Sequence, residues 1–307
     1  MSQTDAKPIN AATRVCAVFG SPIRHSASPA MHNAAFASLG LNWRYLAFEV
    51  RPENLRQALL GARDMGFAGV NLTVPHKILA LDCVDILDES ARLWGAVNTI
   101  RFEGRGPDGQ WLPLRQFDQA LPREIRAHGF NTDAAGFEHA LLEDLQLKLT
   151  GKKVLLLGVG GAGRMAALKC ASAGAAELYL VNRTAARASE LAAEIGRQFP
   201  ALRVTVGYPK SKVDLLLNAT SLGLGREDPS PLDEEQLAPA RARAVYDMIY
   251  QPAETRLLAS AKAAGCQTAN GLGMLVGQGA LAFQLWTGLA APVPVMRRAA
   301  ELNIYGH

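Results

Sequence analysis

Two serines with one residue between them stand just before a predicted helix near the start of the chain. Ser26 and Ser28 lie in the segment GSPIRHSASP, and Pro29 suits the first turn of a helix. Two hydroxyls at this spacing could both donate hydrogen bonds to one small carboxylate. Serine is also a preferred helix-capping residue, so the pair could serve only to cap the helix. The residues by themselves leave both interpretations open.

A lysine follows a predicted buried strand at residues 68–74. The segment reads NLTVPHK and ends at Lys77. A charged side chain at the end of such a strand is a candidate for chemistry, but it could equally be an ordinary surface charge. On an extended segment, His76 would point away from Lys77. We therefore interpret His76, like His25 and His32, as a packing or local hydrogen-bonding residue.

A glycine-rich segment, GVGGAGR, follows a predicted strand at residues 154–157 and opens a predicted helix at residues 162–173. Glycines permit a tight turn and a close approach by a pyrophosphate, and the helix N-terminus offers unpaired N–H groups to the anion. This context predicts a dinucleotide site, although a tight turn without a ligand remains the alternative. The residues expected to contact the cofactor are Gly158, Gly160, Gly161, Ala162 and Gly163.

The end of the next predicted strand, residues 177–181, favours NADP over NAD. NAD enzymes usually place a carboxylate there for the ribose hydroxyls. This chain has instead the segment NRTAAR, whose guanidinium and hydroxyl groups suit a 2′-phosphate. A solvated basic turn is the alternative. The residues expected around the phosphate are Asn182, Arg183, Thr184 and Arg187.

The elements around these segments alternate between strands and helices, which indicates two α/β domains. In the first part, strands are predicted at residues 15–20, 44–50, 68–74 and 96–102, with helices at 29–39, 52–65 and 84–93, and a largely parallel sheet. From residue 152, strands at 154–157, 177–181, 203–206, 213–217 and 244–248 alternate with helices at 162–173, 185–199 and 254–264. This is the order of a Rossmann-like, doubly wound nucleotide-binding domain.

Residues 101–127 interrupt the alternation, because they hold several glycines and prolines. We interpret them as a long loop or as a hairpin with a short helix, which is either functional or mobile. Two closing helices are predicted at residues 274–286 and 295–302. The predicted domains are residues 1–132 with 273–307, for the substrate, and residues 133–272, for NADP.

The composition excludes several classes of protein. The net charge of +4 is spread along the chain, so we expect no nucleic-acid partner. No apolar run is long enough for a membrane span, and the N-terminus lacks a signal peptide. The four cysteines show no zinc-site spacing, so we expect buried free thiols, a cytoplasmic protein and no metal.

Nine ordered segments resemble the shikimate dehydrogenase family, including its quinate/shikimate relatives. They are distributed, in the family's order, along nearly the whole chain outside the long loop. The segments are GSPIRHSASPAMHNAAF, GVNLTVPHK, GAVNTI, GFNTD, GVGGAGR, NRTAAR, NATSLG, VYDMIYQP and NGLGMLVGQGALAF.

The resemblance implies an NADP-dependent enzyme that interconverts 3-dehydroshikimate and shikimate in aromatic amino acid biosynthesis. Lys77 and Asp133 would be the catalytic pair, and Ser26 and Ser28 would hold the substrate carboxylate. Further implied substrate contacts are Thr73, Asn98, Tyr250 and Gln278. The implied nicotinamide neighbours are Thr220, Met248 and Gly271.

Two alternatives stay open. One is a quinate/shikimate dehydrogenase with broader substrate or NAD use, and the other, more remote, is a non-catalytic metabolite sensor on the same fold. The resemblance leaves a monomer and a homodimer equally open.

Overall fold

A computed structural model describes residues 7–225 and 227–306. The chain forms two compact units: the first runs up to Asp133 and resumes at Val276, and the second spans Ala134–Leu275. The predicted boundary at residues 132/133 lies one residue before the observed one, and the predicted boundary at residues 272/273 lies three residues before it. The assignment of substrate to one unit and cofactor to the other stays a prediction. Within the described residues, no helix has the length and apolar character that crossing a membrane requires.

The strands, in chain order, are β1 (Arg14–Gly20), β2 (Trp43–Glu49), β3 (Gly69–Leu72), β4 (Ile86–Leu87), β5 (Thr99–Arg105), β6 (Trp111–Pro113), β7 (Ile125–Phe130), β8 (Lys153–Leu157), β9 (Glu177–Val181), β10 (Arg203–Val206), β11 (Val213–Asn218), β12 (Ala242–Asp247) and β13 (Gln267–Asn270). The α-helices are α1 (Ser28–Ser38), α2 (Leu55–Asp64), α3 (His76–Leu79), α4 (Glu89–Trp94), α5 (Asp133–Leu145), α6 (Gly161–Ser172), α7 (Ala185–Gln198), α8 (Arg256–Ala263), α9 (Leu272–Thr287) and α10 (Val293–Tyr305).

The first unit contains a mixed sheet with the order β2-β1-β3-β5-β7-β4, and β6 pairs with β5. Strands β1, β2 and β3 are mutually parallel, as predicted for this part of the chain. Strand β5 is antiparallel to β3, β6 and β7, so the expectation of a largely parallel sheet holds for only one half. Its core includes fully buried side chains from both halves, such as Val70, Ile100 and Phe102.

The predicted helix at residues 84–93 is wrong over its first half. Ile86 and Leu87 form the short strand β4, which pairs in parallel with β7. Asp88 then caps α4, because its carboxylate accepts a hydrogen bond from the Ser90 N–H at 2.9 Å. The helix therefore starts at this aspartate, a standard N-cap residue, rather than at the apolar run before it.

The predicted long loop at residues 101–127 contains a β-hairpin and a short 3-10 helix at Leu114–Gln116. Strand β5 continues to Arg105, β6 folds back on it, and β7 begins at Ile125. The glycine near the end of β5 allows close packing, since a Cβ on Gly104 would lie 2.1 Å from a side-chain atom of Pro122. The glycine and proline in this contact therefore allow the hairpin to pack tightly. Of the two interpretations of residues 101–127, the hairpin with a short helix agrees with the structure and the long loop does not.

Glu103 is a buried carboxylate at the centre of this antiparallel region, and its side chain is only 2% exposed. It bonds Arg101, Arg126 at 2.7 Å and His128 at 3.0 Å. Burial would raise the pKa of Glu103, but hydrogen bonds from His128, Arg101 and Arg126 outweigh it and lower the pKa to about 2. The charged carboxylate therefore stabilises the fold wherever it stays ionised.

Replacing Glu103 by glutamine should lower the free energy of unfolding by about 2 to 3 kcal/mol at pH 7. Because the pKa of Glu103 falls from 4.5 to about 2 on folding, its contribution is complete above pH 4.5 and is lost as the pH falls toward 2. The difference between variant and wild type should therefore shrink over that window in urea unfolding curves.

Glu124→Gln is the control for this measurement. Glu124 pairs with Arg105 at 3.2 Å in the same sheet, but the side chains are 62% and 49% exposed. Exposed pairs contribute little, so its loss should change stability by less than about 1 kcal/mol. A Glu103→Gln variant as stable as this control would show that the buried carboxylate does not stabilise the fold.

The second unit contains a wholly parallel sheet with the order β10-β9-β8-β11-β12-β13. Renumbered within the unit, this is the 3-2-1-4-5-6 order of the Rossmann fold. Apolar side chains of β8, β11 and β12 are buried, among them Leu155, Leu216 and Val245. The order reverses between β8 and β11, and in such sheets ligands bind at the carboxyl ends of the strands at this reversal.

Candidate functional site

In the first unit, Lys77 and Asp133 form an ion pair, with 2.6 Å between Nζ and Oδ2. The lysine side chain is 32% exposed and the aspartate side chain 11% exposed. Lys77 stands on the one-turn helix α3, which begins at His76, and Asp133 follows β7. The pair therefore combines an ammonium group that can be reached from solvent with a carboxylate that is held within the fold.

The expectation that residues 76 and 77 are extended is wrong. The chain turns into α3 directly after Pro75, and His76 becomes fully buried. Burial lowers the pKa of His76, so this side chain stays neutral at ordinary pH. The interpretation of His76 as a packing residue agrees with its burial, but the extended backbone from which it was inferred is not present, because His76 begins a helix.

Asn98 holds the aspartate of the pair from the other side. Its Nδ2 group donates to Asp133 Oδ1 at 2.9 Å and to Thr132 Oγ1 at 2.9 Å, and it lies 3.4 Å from Gln278 Oε1. The Asp133 carboxylate therefore binds Lys77 with one oxygen and Asn98 with the other. The structure brings four of the predicted residues, Lys77, Asn98, Asp133 and Gln278, into one cluster.

The two serines lie at the start of α1, but neither side chain caps the helix in the usual way. The capping position is Ala27, and no side-chain bond is made there. The Ser28 N–H instead donates to Ser26 Oγ at 3.3 Å. Ser28 is 8% exposed, and Ser26 is partly exposed. The helix-cap alternative is therefore not what the structure shows for Ser28.

Thr73 follows β3 and precedes α3. It is partly buried, and a Cβ added to Gly20 would lie only 2.5 Å from the Thr73 methyl group. This close packing places the ends of β1 and β3 side by side, next to the segment that carries the two serines. A residue with a Cβ at position 20 would overlap the Thr73 side chain, which explains why this position is a glycine.

In the second unit, the glycine-rich turn joins β8 to α6. Gly158 has a φ of +89°, a conformation that favours glycine, and a Cβ on Gly163 would lie 2.0 Å from the Gly158 carbonyl oxygen. Around Gly160 and Gly161, in contrast, no atom of the described residues lies within 4 Å of an added Cβ. Two glycines are thus required by the turn itself, and two border open space at a helix N-terminus. An anion such as a pyrophosphate fits this cradle.

Asn182 follows β9 and supports the turn, because its Oδ1 accepts from the Val159 N–H at 3.1 Å. Arg183, Thr184 and Arg187 are exposed around the start of α7. Thr184 occupies the N-cap position, yet its hydroxyl makes no capping bond. The two guanidinium groups and this hydroxyl remain available to a phosphate. The Asn182 side chain, in contrast, is already hydrogen-bonded to the backbone of Val159 and Thr184.

The predicted nicotinamide neighbours lie near each other in the second unit. Thr220 packs on Gly158, since a Cβ there would be 2.7 Å from the threonine methyl group. A Cβ on Gly271 would lie 2.1 Å from the Met248 carbonyl oxygen. Tyr250 follows β12 in the same unit, and burial raises its pKa. These residues surround the ends of β8, β11 and β12.

Several buried polar residues escaped the sequence analysis. In the second unit, Asn218 donates to Asp247 Oδ1 at 2.9 Å, and Thr255 donates to Asp247 Oδ2 at 2.7 Å. Burial raises the pKa of Asp247, while these hydrogen bonds oppose the rise. In the first unit, the buried polar side chains that were not singled out from the sequence are those of Tyr45, Asn71, Thr99 and Thr132. A polar residue within an otherwise apolar strand was the signal that could have found them.

A Rossmann sheet with a glycine cradle, together with a lysine–aspartate pair, defines the class of nicotinamide-dependent dehydrogenases. Family models match along the chain: "Shikimate dehydrogenase substrate binding domain" at residues 18–100, "Shikimate / quinate 5-dehydrogenase" at 140–221 and "Shikimate 5'-dehydrogenase C-terminal domain" at 271–301. The chain is 42% identical over 300 residues to the shikimate dehydrogenase (NADP(+)) of Methanopyrus kandleri, covering 95% of this chain and 96% of that protein.

Two solved structures extend the comparison. One is shikimate 5-dehydrogenase from Thermus thermophilus in complex with NADP(H) and shikimate, with 41% identity, a TM-score of 0.77, and coverage of 94% of this chain and 99% of that one. The other is 5-ketofructose reductase of Gluconobacter sp. strain CHM43, with 33% identity, a TM-score of 0.78, and coverage of 95% and 99%. The chain belongs to the shikimate dehydrogenase family.

Proposed function

We propose that this chain is an NADP-dependent oxidoreductase that interconverts 3-dehydroshikimate and shikimate. The observation that carries the proposal is the Lys77–Asp133 pair with Asn98 on the second carboxylate oxygen. A reaction between a ring ketone and a ring alcohol needs a proton donor and acceptor that is held in place, and this cluster supplies one. The similarity to shikimate dehydrogenases over nearly the whole chain supports the substrate.

In the direction of reduction, the Lys77 ammonium group donates a hydrogen bond to the ketone oxygen and passes a proton to the alkoxide as it forms. Asp133 orients the ammonium group, and Asn98 fixes the carboxylate. In the direction of oxidation, neutral Lys77 accepts the proton of the alcohol. When bound, the nicotinamide cofactor supplies or accepts the hydride.

The substrate carboxylate is assigned to Ser26 and Ser28, which have hydroxyls at the start of α1. The remaining ring oxygens are assigned to Thr73, Asn98 and Gln278, and Tyr250 is assigned as a further substrate contact. This division places hydrogen-bond donors at both ends of a small polar acid, which is how a site selects such a molecule.

NADP is the cofactor that the second unit fits. The open cradle at Gly160 and Gly161 suits the pyrophosphate. The exposed Arg183, Thr184 and Arg187 suit the 2′-phosphate, and no carboxylate stands at the end of β9 to bind ribose hydroxyls. Thr220, Met248 and Gly271 are assigned to the nicotinamide side.

A second candidate is a dehydrogenase that also accepts quinate or NAD. The family model that matches residues 140–221 is described for shikimate and quinate together, which favours keeping this candidate. The similarity to 5-ketofructose reductase adds a third substrate for testing.

Initial rates on purified protein separate these candidates. Shikimate and quinate would each be paired with NADP and with NAD, and 5-ketofructose with NADPH, following the cofactor absorbance. We expect kcat/KM for shikimate with NADP to exceed every other combination by at least about a hundredfold, or about 2.7 kcal/mol. Comparable rates with quinate or NAD would select the second candidate, and inactivity toward all five pairs would reject a dehydrogenase of these substrates.

We also propose that the protein acts in the cytoplasm as a monomer or homodimer, without nucleic-acid or membrane partners. All four cysteines are unpaired, as a reducing compartment favours. Only Cys16 and Cys170 are buried, however, whereas Cys83 and Cys266 are partly exposed, so the expectation of four buried thiols was wrong for two of them.

A further inference from the structure

A line of buried hydrogen bonds runs behind the catalytic pair in the first unit. The Tyr45 hydroxyl donates to Asn71 Oδ1 at 2.7 Å, and Asn71 Nδ2 donates to Thr99 Oγ1 at 2.9 Å. Thr99 in turn donates to Asn98 Oδ1 at 3.0 Å. None of these four side chains belongs to a residue more than 5% exposed. The line crosses β2, β3 and β5 and ends at the side chain that holds Asp133.

The direction of every bond in this line is fixed by one backbone group. The Thr132 N–H can only donate, and it bonds Asn98 Oδ1 at 2.8 Å, which identifies the oxygen of that amide. Thr99 therefore uses its single proton toward Asn98 and must accept from Asn71. The Asn71 amide oxygen therefore faces Tyr45, and the Tyr45 hydroxyl must donate its only proton to it.

The other end of the line is the buried ring of Tyr45. Burial raises the pKa of Tyr45 well above its ordinary value, so its hydroxyl keeps the proton that it donates to Asn71. The Tyr45 ring is held rigidly, since His32 stacks on it with 4.3 Å between ring centroids and Trp286 lies 6.0 Å away.

We propose that Tyr45 is a positioning residue for the reaction: through Asn71 and Thr99, it fixes the side-chain amide of Asn98. The inference rests on the proposed function. The line couples a buried tyrosine hydroxyl to the group that would bind a ring oxygen of the substrate and that holds Asp133. It therefore sets the position of the Asn98 amide beside the catalytic pair.

The physical advantage of this arrangement is pre-organisation. A free amide would have to be ordered when substrate binds, which weakens binding. Here the Asn98 amide is already oriented, and its rotation would leave a buried polar group without its partner. Loss of the line should therefore weaken substrate binding more than it slows the chemical step.

The first experiment is Tyr45→Phe, which removes one hydroxyl and keeps the buried ring. We expect the KM for shikimate to rise about tenfold, with kcat within about threefold and the KM for NADP unchanged. Tyr179→Phe is the matched control, because it also removes a tyrosine hydroxyl bond, to Glu177 at 2.6 Å in the second unit. Its kinetic constants should equal those of the wild type.

A double-mutant cycle separates positioning from general loosening of the core. If Tyr45 acts through Thr99, the effect of Tyr45→Phe on kcat/KM should fall from about tenfold to about threefold in a Thr99→Val background. Equal effects in both backgrounds would contradict a coupling through Thr99 and overturn the proposal.

Thr99 supplies an independent test should Tyr45→Phe fail to fold. Thr99→Val removes the hydroxyl that joins Asn71 to Asn98 and should raise the KM for shikimate, whereas Thr99→Ser keeps the hydroxyl and should restore it. Equal KM values for these two variants would overturn the proposal. Wild-type protein that is inactive toward shikimate would instead reject the proposed function, and the inference with it.

Discussion

Replacing Lys77 by methionine should lower kcat for shikimate oxidation about a thousandfold. Methionine keeps an unbranched apolar side chain but cannot exchange a proton with the substrate oxygen. Substrate contacts at Ser26, Ser28 and Gln278 are untouched, so the KM for shikimate should change by less than about fivefold. The readout is the initial rate with saturating NADP and shikimate, together with a melting curve that shows the variant is folded.

Lys169→Met is the matched control for this variant. Lys169 also pairs with a carboxylate, Glu138, at 2.6 Å, and its side chain is only 16% exposed. It lies in the last turn of α6, at the opposite end of that helix from the glycine cradle, and we assign it no role in the reaction. Its kcat should stay within about twofold of the wild type. Retention of a tenth or more of kcat by Lys77→Met would exclude Lys77 as the proton donor.

Local rules were sufficient for the cofactor turn. Gly158 has a positive φ, Gly163 borders the Gly158 carbonyl oxygen, and Gly160 and Gly161 border open space, so each glycine answers to the conformation of the turn itself. The strand before them and the helix after them have regular apolar patterns. The Rossmann order of the second unit then follows from the alternation of strands and helices.

The same rules failed at residues 84–93 and left the structure of residues 101–127 open between a loop and a hairpin with a short helix, because long-range pairing decides both segments. Ile86 and Leu87 lie in an apolar run that also suits a helix, but they pair with β7 as a strand. Glu103 bonds Arg126 and His128, which are 23 and 25 positions away, so the stability of its strand is not visible locally. Sequence separation, rather than composition, hid these elements.

The polar line behind the catalytic pair was hidden for a related reason. Tyr45, Asn71 and Thr99 each lie in a mostly apolar strand, and their partners are 26 to 28 positions apart in sequence. Only the register of β2, β1, β3 and β5 brings them together. The roles of Lys77 and Asp133 came from the family resemblance, and the structure adds the 2.6 Å contact between them.

The glycine turn allows stability and cofactor binding to be separated by two substitutions. Gly163→Ala places a methyl group 2.0 Å from the Gly158 carbonyl oxygen, where only a backbone shift can relieve the overlap. We expect it to lower the free energy of unfolding by about 3 kcal/mol, measured without cofactor by urea unfolding.

Gly160→Val tests the binding role by itself. Gly160 has a φ of −67°, which any residue adopts, and apart from its chain neighbours no atom of the described residues lies within 4 Å of the added Cβ. The free energy of unfolding of the variant should therefore lie within about 1 kcal/mol of the wild-type value, because the added Cβ points into open space. Its side chain would fill the space assigned to the pyrophosphate, so the KM for NADP should rise at least about twentyfold, while the KM for shikimate changes little. A Gly160→Val protein with wild-type affinity for NADP would move the pyrophosphate away from this cradle, whereas a strongly destabilised one would mean that this glycine, like Gly163, serves the turn itself.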